Sequence, residues 1–251
     1  MNYLDYPSGL EVIVLDQCKS TNTYIKENLK NLKERIPLLV TSPVQTAGRG
    51  RNQRRWFSPK NKGLYSSFAF FMDAKKNLPF LPLISGISII ELIKECYGIK
   101  MVLKWPNDII YKQKKIAGIL IENNIFENRI FCIAGMGINL NHRPEDFPSP
   151  LDQRAVSLKM ITGNSYQLEK INRLLSTIFF NWLEKLQDKK YHEIIETAQQ
   201  YSRSYVGKEI TFCHQDKIMK GIFKGINSDG GLILIHDDDR TELYYSGEIL
   251  F

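Results

Sequence analysis

Short apolar runs open the chain, apolar positions recur with period 3.6 twice further on, and short strand-like runs return at the end. Leu10–Asp16 carries four apolar residues in succession after a single glutamate and predicts a strand. Ser20-Thr21-Asn22 then offers N-cap hydroxyls and amides for a helix running to about Leu32. Leu38–Thr41 reads as a short buried strand, and Gly63–Met72, rich in aromatic and apolar residues, as another. Ile84, Ile87, Ile90, Leu92 and Ile93 set a helix over Leu81–Cys96, with Gly98 just past its end. Ile99–Trp105 predicts a strand, Pro106-Asn107-Asp108 a turn and Ile109–Tyr111 the return strand. Lys115–Glu122 and Arg129–Ile138 form a second hairpin, joined through Asn123-Asn124 and their neighbours.

The pattern then changes. Leu168, Ile171, Leu174, Leu175, Ile178, Phe179, Trp182, Leu183 and Leu186 follow the stripe of an amphipathic helix, and Tyr191–Tyr201 predicts a second one. From about Arg203 short strands take over: Glu209–Cys213, Lys217–Phe223, Leu232–His236 and Thr241–Tyr245, with Asp229-Gly230-Gly231 among the turn signals. So short a segment cannot bury a large core and is expected to lean on the rest of the chain as a small barrel. The fold class is α+β with a small all-β tail.

With 251 residues, 43% hydrophobic and 24% charged, the chain has the composition of an ordinary soluble protein. It holds no tract of membrane-spanning length, and Met1–Gly9 has no apolar core of the kind a secretory leader needs. Cys18, Cys96, Cys132 and Cys213 are scattered, as reduced core residues of a cytoplasmic protein would be. His142, His192, His214 and His236 give no metal-ligand spacing. A net charge of +7 fits partners that are nucleic acids, phosphorylated small molecules or acidic proteins. The lysines are spread out rather than gathered on one helix, which weakens the nucleic-acid reading.

Candidate chemistry sits in a few short runs. Residues 48–56 read Gly-Arg-Gly-Arg-Asn-Gln-Arg-Arg-Trp. Glycines let backbone amides approach an anion, arginines add planar forks of donors, and Trp56 adds an aromatic wall. In Lys104-Trp105-Pro106-Asn107-Asp108 turn chemistry explains the last three residues but not the lysine and tryptophan ahead of them. Asp108 is there the candidate hard oxygen ligand for Mg²⁺, with Asn107 or water completing the shell. Lys115 heads an apolar strand in which Gly118 marks a place where a ligand approaches the backbone. Gly135-Met136-Gly137-Ile138-Asn139 repeats the small-residue signature without the spacing of a dinucleotide site.

In this order Ser-Thr-Asn, Gln-x-x-Gly-Arg-Gly-Arg with a downstream tryptophan, Lys-Trp-Pro-Asn-Asp, Lys-x-x-Gly-Ile-Leu and Gly-x-Gly-Ile-Asn resemble the biotin protein ligase family over nearly the whole chain. The resemblance implies a mixed β-sheet catalytic domain flanked by helices, class II synthetase-like and of biotin/lipoate ligase type, over 1–202. It implies a small SH3-like β-barrel over 203–251. It also implies that ATP converts biotin to biotinyl-5′-AMP, which then acylates a lysine of biotin carboxyl carrier protein, an acetyl-CoA carboxylase subunit. Carried over, Ser20, Thr21, Asn22 and Gln45 meet biotin together with Arg49, Gly50, Arg51, Trp56, Lys115 and Gly118. Arg51, Arg54, Trp56, Lys104, Asn107 and Asn139 meet ATP or the adenylate, Asp108 meets Mg²⁺, and Lys115, Arg51 and Arg54 carry the catalysis. A carboxylate brought to within 4 Å of a phosphate is repelled by ~4 kcal/mol at an effective dielectric of 20, which such cations offset.

The resemblance is incomplete at one point. Gln53 stands where many members of that family have a further glycine, which implies a less pliable loop. The chain opens on the catalytic segment, without the winged helix some members carry, so no operator-DNA binding is expected; a homodimer is left open. A lipoate or octanoate ligase or transferase of the same fold is the competing reading. A non-catalytic nucleic-acid-binding module is a distant third, because the tail lacks aromatics interleaved with basic residues.

Overall fold

The computed structural model describes residues 5–250, so Met1–Leu4 of the segment read above for a leader lie outside the described residues. Twelve strands and six α-helices follow in the order β1 (Glu11–Val14), α1 (Thr21–Leu32), β2 (Leu38–Thr41), β3 (Gly63–Met72), α2 (Phe80–Tyr97), β4 (Val102–Lys104), β5 (Asp108–Tyr111), β6 (Lys114–Phe126) and β7 (Arg129–Asn139). Two short helices come next, α3 (Leu151–Arg154) and α4 (Leu158–Thr162), and then α5 (Leu168–Gln187) and α6 (Tyr191–Ser202). The chain ends in β8 (Glu209–His214), β9 (Lys217–Ile226), β10 (Leu232–Ile235), β11 (Thr241–Tyr244) and β12 (Glu248–Leu250).

β1 to β7 make one seven-stranded sheet in the order β1-β2-β3-β7-β6-β5-β4. Only β1 and β2 run parallel; every other neighbour is antiparallel. Helices cover both faces, so central strands are buried on both sides and read as apolar runs rather than alternating ones. On β3 the alternation survives only in direction. Phe68 and Phe70 join the large core with α2, α5 and α6, while Ala69 joins a smaller core with Ile25 and Leu29 of α1. The two adjacent serines of β3 follow the same rule. Ser66 Oγ donates to Asn172 Oδ1 of α5, and Ser67 Oγ faces Thr21 and Asn22 of α1.

The C-terminal strands form a five-stranded antiparallel sheet in the order β11-β10-β9-β8-β12, consistent with an SH3-like fold. Phe212, Phe223, Leu232, Leu234 and Ile249 belong to the same core as α2 and β4, so the tail shares a core with the larger sheet. Polar contacts also fix it in place: Trp105 Nε1 donates to Gly230 O at 3.0 Å, and Arg51 Nη1 donates to Gly247 O at 2.9 Å.

Two sequence expectations change, and three short elements were not expected. The β6–β7 hairpin turns at Glu127 (φ 48°) and Asn128 (φ 62°), not at Asn123-Asn124. Both asparagines have good turn chemistry, yet they stay in the ladder opposite Cys132 and Phe131, because only the later pair adopts the doubly left-handed turn that fits strand twist. The strand expected over Ile99–Trp105 is confined to Val102–Lys104. β12, α3 and α4 carried too few residues to show a period.

His142, just after β7, is fully buried, and neither ring nitrogen has a hydrogen-bond partner. Its ring stacks on Phe147 at 4.6 Å and 11°. Burial pushes the imidazole down from 6.5 to about 4, with Asp146 opposing and Lys62 reinforcing the shift. The unfolded chain therefore binds a proton at His142 before the native state does. The resulting stabilisation is complete above pH 6.5 and is lost as pH falls toward 4, by about 3 kcal/mol in all. His142→Phe should lack this component. The difference in unfolding free energy between wild type and variant, measured from pH 7.5 to 4.5, should shift against the wild type by about 2–3 kcal/mol; a constant difference would refute the assignment.

Candidate active site

The polar floor begins at α1. Ser20 takes the extended conformation of an N-cap, but its hydroxyl makes no capping hydrogen bond, so the expected cap is one of backbone geometry only. Thr21 N donates to Gln45 Oε1 at 2.9 Å, and Thr21 Oγ1 lies 2.6 Å from Ser67 Oγ. Gln45 Nε2 donates to Ser58 Oγ at 3.0 Å, tying the floor to the segment after the Gly-Arg loop. Asn22 Nδ2 donates to Glu122 Oε2 at 2.9 Å, and Ser67 Oγ donates to Asn22 Oδ1 at 2.5 Å. Glu122 also pairs with Lys26 at 3.0 Å and Arg49 at 2.9 Å. Burial raises its carboxyl, but Asn22, Lys26 and Arg49 outweigh that and hold it below the ordinary value.

The Gly-Arg loop folds back on itself, with Gly50 N donating to Arg54 O at 2.7 Å and Trp56 N to Gly48 O at 2.9 Å. At its tip Asn52 (φ 51°) and Gln53 (φ 57°) are both left-handed. Asparagine tolerates that region; glutamine gains nothing there. Gln53→Gly should remove the strain, partly offset by the freedom glycine adds to the unfolded chain, for a net gain of up to about 1 kcal/mol. A higher urea midpoint at unchanged m-value is the expected reading, and a lower midpoint would mean that the loop carries no strain at Gln53.

Trp56 lies across Gly118 of β6 and Gly137 of β7, which face each other in the ladder. A Cβ on Gly137 would sit 2.5 Å from the indole, and one on Gly118 would sit 3.1 Å from it and 3.0 Å from Lys115 Cε. The space beside Gly118, expected to receive a ligand, is taken here by Trp56 and the Lys115 stem. Lys115 Nζ lies 5.4 Å from the Trp56 ring centroid, within cation–π range.

Each cation expected to meet phosphate already has a polar or acidic partner, and those of Arg51 and Arg54 come from distant parts of the chain. Lys115 Nζ pairs with Asp108 Oδ1 at 2.6 Å, and Arg54 Nη1 with Glu248 Oε1 of β12 at 2.6 Å. Arg51 Nη1 donates to Asn107 Oδ1 and to Gly247 O, both at 2.9 Å. Burial pushes the Arg51 guanidinium down, against the pull of Asp108 and Glu248. Lys104 is buried and pushed down for the same reason, opposed by Asp108 at 3.9 Å. Asn139 directs Nδ2 at the carbonyls of Val156 (3.2 Å) and Lys115 (3.4 Å), clamping the segment after β7 to the start of β6.

The expected metal ligand, Asp108, has its oxygens turned to Lys115 and Lys104. Among the described residues no group of three or more His, Cys, Asp or Glu side chains is placed to hold a metal ion. A carboxylate bracketed by two ammonium groups does not fit a resident Mg²⁺.

Sequence reasoning missed Glu122, Ser67 and Glu248. Glu122 had a signal: counting by two from Gly118 puts Gly118, Leu120 and Glu122 on one face of β6. The Ser66-Ser67 pair inside an otherwise apolar strand was a second signal. Glu248 had none, being brought to Arg54 only by the fold.

Residues 14–141 match the Biotin/lipoate A/B protein ligase family, and residues 205–251 match the Biotin protein ligase C terminal domain. The bifunctional ligase/repressor BirA of Bacillus subtilis is 31% identical over 248 residues, spanning 96% of this chain and 74% of that protein. A biotin–[acetyl-CoA-carboxylase] ligase of Paracoccus denitrificans is 27% identical over 199 residues, spanning 78% of this chain and 82% of that one. Among solved structures, biotin protein ligase from Aquifex aeolicus in complex with biotin and ATP superposes with a TM-score of 0.81 at 29% identity, covering 96% of this chain and 97% of that one. With the ordered motifs, the sheet topology and these matches in agreement, the chain belongs to the biotin/lipoate A/B protein ligase family.

Proposed function

We propose that this chain uses ATP to activate biotin as biotinyl-5′-AMP and transfers the biotinyl group to a lysine of biotin carboxyl carrier protein. The observation that carries this reading is the hydrogen-bonded floor of Thr21, Gln45, Ser67 and Asn22. A ureido ring brings two N–H groups and a carbonyl that need such partners, whereas the dithiolane of lipoate needs none. The biotin ligases among its relatives and the C-terminal match support the same choice.

In the first step a biotin carboxylate oxygen bonds to the α-phosphorus of ATP and pyrophosphate leaves. In the second the acceptor amine bonds to the acyl carbon, the acyl–oxygen bond to phosphate breaks, AMP leaves and the amine gives up a proton. Neither step needs a covalent protein nucleophile. Lys115 and Arg51 hold the carboxylate and then the adenylate phosphate, and Arg54 meets the remaining phosphates. Asp108 holds Lys115 in place, and magnesium enters on the triphosphate as part of the substrate. Phosphate oxygens join Asp108, Glu248 and Asn107 as partners of these cations, so the added negative charge meets cations already held in position.

The test is the mass of a biotin carboxyl carrier domain incubated with this chain, ATP, Mg²⁺ and either biotin or lipoate. A biotinyl adduct on one lysine is the expected result. Lipoylation without biotinylation would overturn the reading.

A further inference from the structure

The buried chain of side chains under Thr21 has a direction, and Glu122 supplies it. Two acceptors face the Asn22 amide on one side: Glu122 Oε2 at 2.9 Å and Leu120 O at 3.3 Å. Turning the amide over would set Asn22 Oδ1 against a carboxylate and a carbonyl, lone pair to lone pair, so Nδ2 must point there. Asn22 Oδ1 is then presented to Ser67 Oγ at 2.5 Å and can only accept. Ser67 has one proton and gives it to Asn22. At 2.6 Å from Ser67, Thr21 must therefore be the donor in the next link, since Ser67 has nothing left to give. That link is shorter than the 3.3 Å from Thr21 Oγ1 to Gln45 Oε1, so it holds the Thr21 proton. Thr21 Oγ1 is left with lone pairs only.

We infer that Glu122 is a positioning residue that orients the chain Thr21→Ser67→Asn22→Glu122, so that Thr21 meets a ligand as an acceptor and selects for an N–H group. This rests on the proposed biotin reading of the floor and deepens it: the ligand group at Thr21 is a ring N–H, and an acceptor in its place is rejected. The same carboxylate pairs with Arg49, so one group orders the floor and the entry to the Gly-Arg loop.

The experiment uses the full chain, isothermal calorimetry, biotin, lipoate, and the two cyclic carbamates in which one or the other ring N–H of biotin is replaced by oxygen. Wild type should bind one carbamate on the order of tenfold or more weakly than the other, because an oxygen there meets lone pairs. Ser67→Ala cuts the chain while leaving the ion pairs of Glu122 in place. It frees the Thr21 proton, and the ratio between the carbamates should fall toward one. Glu122→Gln, which can offer Asn22 a donor while Leu120 O remains its acceptor, should lower the ratio part of the way. Lys26→Ala removes an exposed partner of Glu122 without changing any acceptor and should keep the wild-type ratio. Equal binding of the two carbamates by wild type, or a ratio that survives in both Ser67→Ala and Glu122→Gln, would overturn the inference. Wild-type binding of lipoate but not biotin would instead overturn the reading of the pocket on which it rests.

Discussion

Lys115→Ala should fold normally and lose adenylate formation, with biotin-dependent pyrophosphate exchange reduced by about 10²–10³-fold. Lys115 heads β6, its ammonium 2.6 Å from Asp108 and 5.4 Å from the Trp56 ring centroid. Its stem runs over Gly118, where a Cβ would lie 3.0 Å from Lys115 Cε, so strand and side chain together fix the charge with little freedom. A charge held in advance costs no reorganisation when the carboxylate meets the α-phosphate, and this is where most of its effect arises. Stability should change little, because Lys104 still faces Asp108 after the truncation. Lys115→Arg keeps the charge but widens the head group, and should recover part of the rate. Wild-type exchange in Lys115→Ala would remove this residue from the mechanism.

How much of this was legible depended on sequence distance. Elements with a clear period, such as α5 and β3, follow from local pattern, and β3 and β2 fall where the pattern put them. The site motifs were legible because each is a short run: Ser20-Thr21-Asn22, the Gly-Arg loop and Lys104–Asp108 carry their chemistry within a few residues. What the runs could not convey is their mutual neutralisation. The Gly-Arg loop reads as an open cationic pouch, yet Arg49 is tied to Glu122 and Arg54 to Glu248, acidic partners 73 and 194 residues away. Arginines gathered in one loop repel one another, a cost that nearby carboxylates offset, and the sequence order gives no hint of which carboxylates. Nor was there any sign in the sequence that Asp108, expected to meet Mg²⁺, would stand between Lys115 and Lys104.

Gly137→Val should be nearly as damaging as removal of Lys115, by a steric route. Valine suits a strand, and Gly137 sits at an interior position of β7 paired with Gly118, so the sheet itself loses nothing. The obstacle is Trp56. A Cβ at Gly137 would stand 2.5 Å from both Cε2 and Nε1 of the indole, closer than such atoms approach, and valine adds two methyl groups beyond it. β7 is held by β3 and β6 along its length, whereas Trp56 is carried on a loop, so the indole must be the part that leaves. With it go one wall of the pocket and the ring beneath the Lys115 ammonium. A loss in kcat/KM for biotin of about 10²-fold is expected, with a melting temperature within a few degrees of wild type. Tryptophan emission should shift to the red, because Trp105 and Trp182 stay buried and only Trp56 gains water. Trp56→Ala combined with Gly137→Val supplies the decisive comparison. If the clash is the whole effect, adding valine to the Trp56→Ala background should cost almost nothing further in activity, a strong departure from additivity between residues in contact. Full additivity, or an unshifted emission spectrum in Gly137→Val, would mean that the glycine serves something other than the indole.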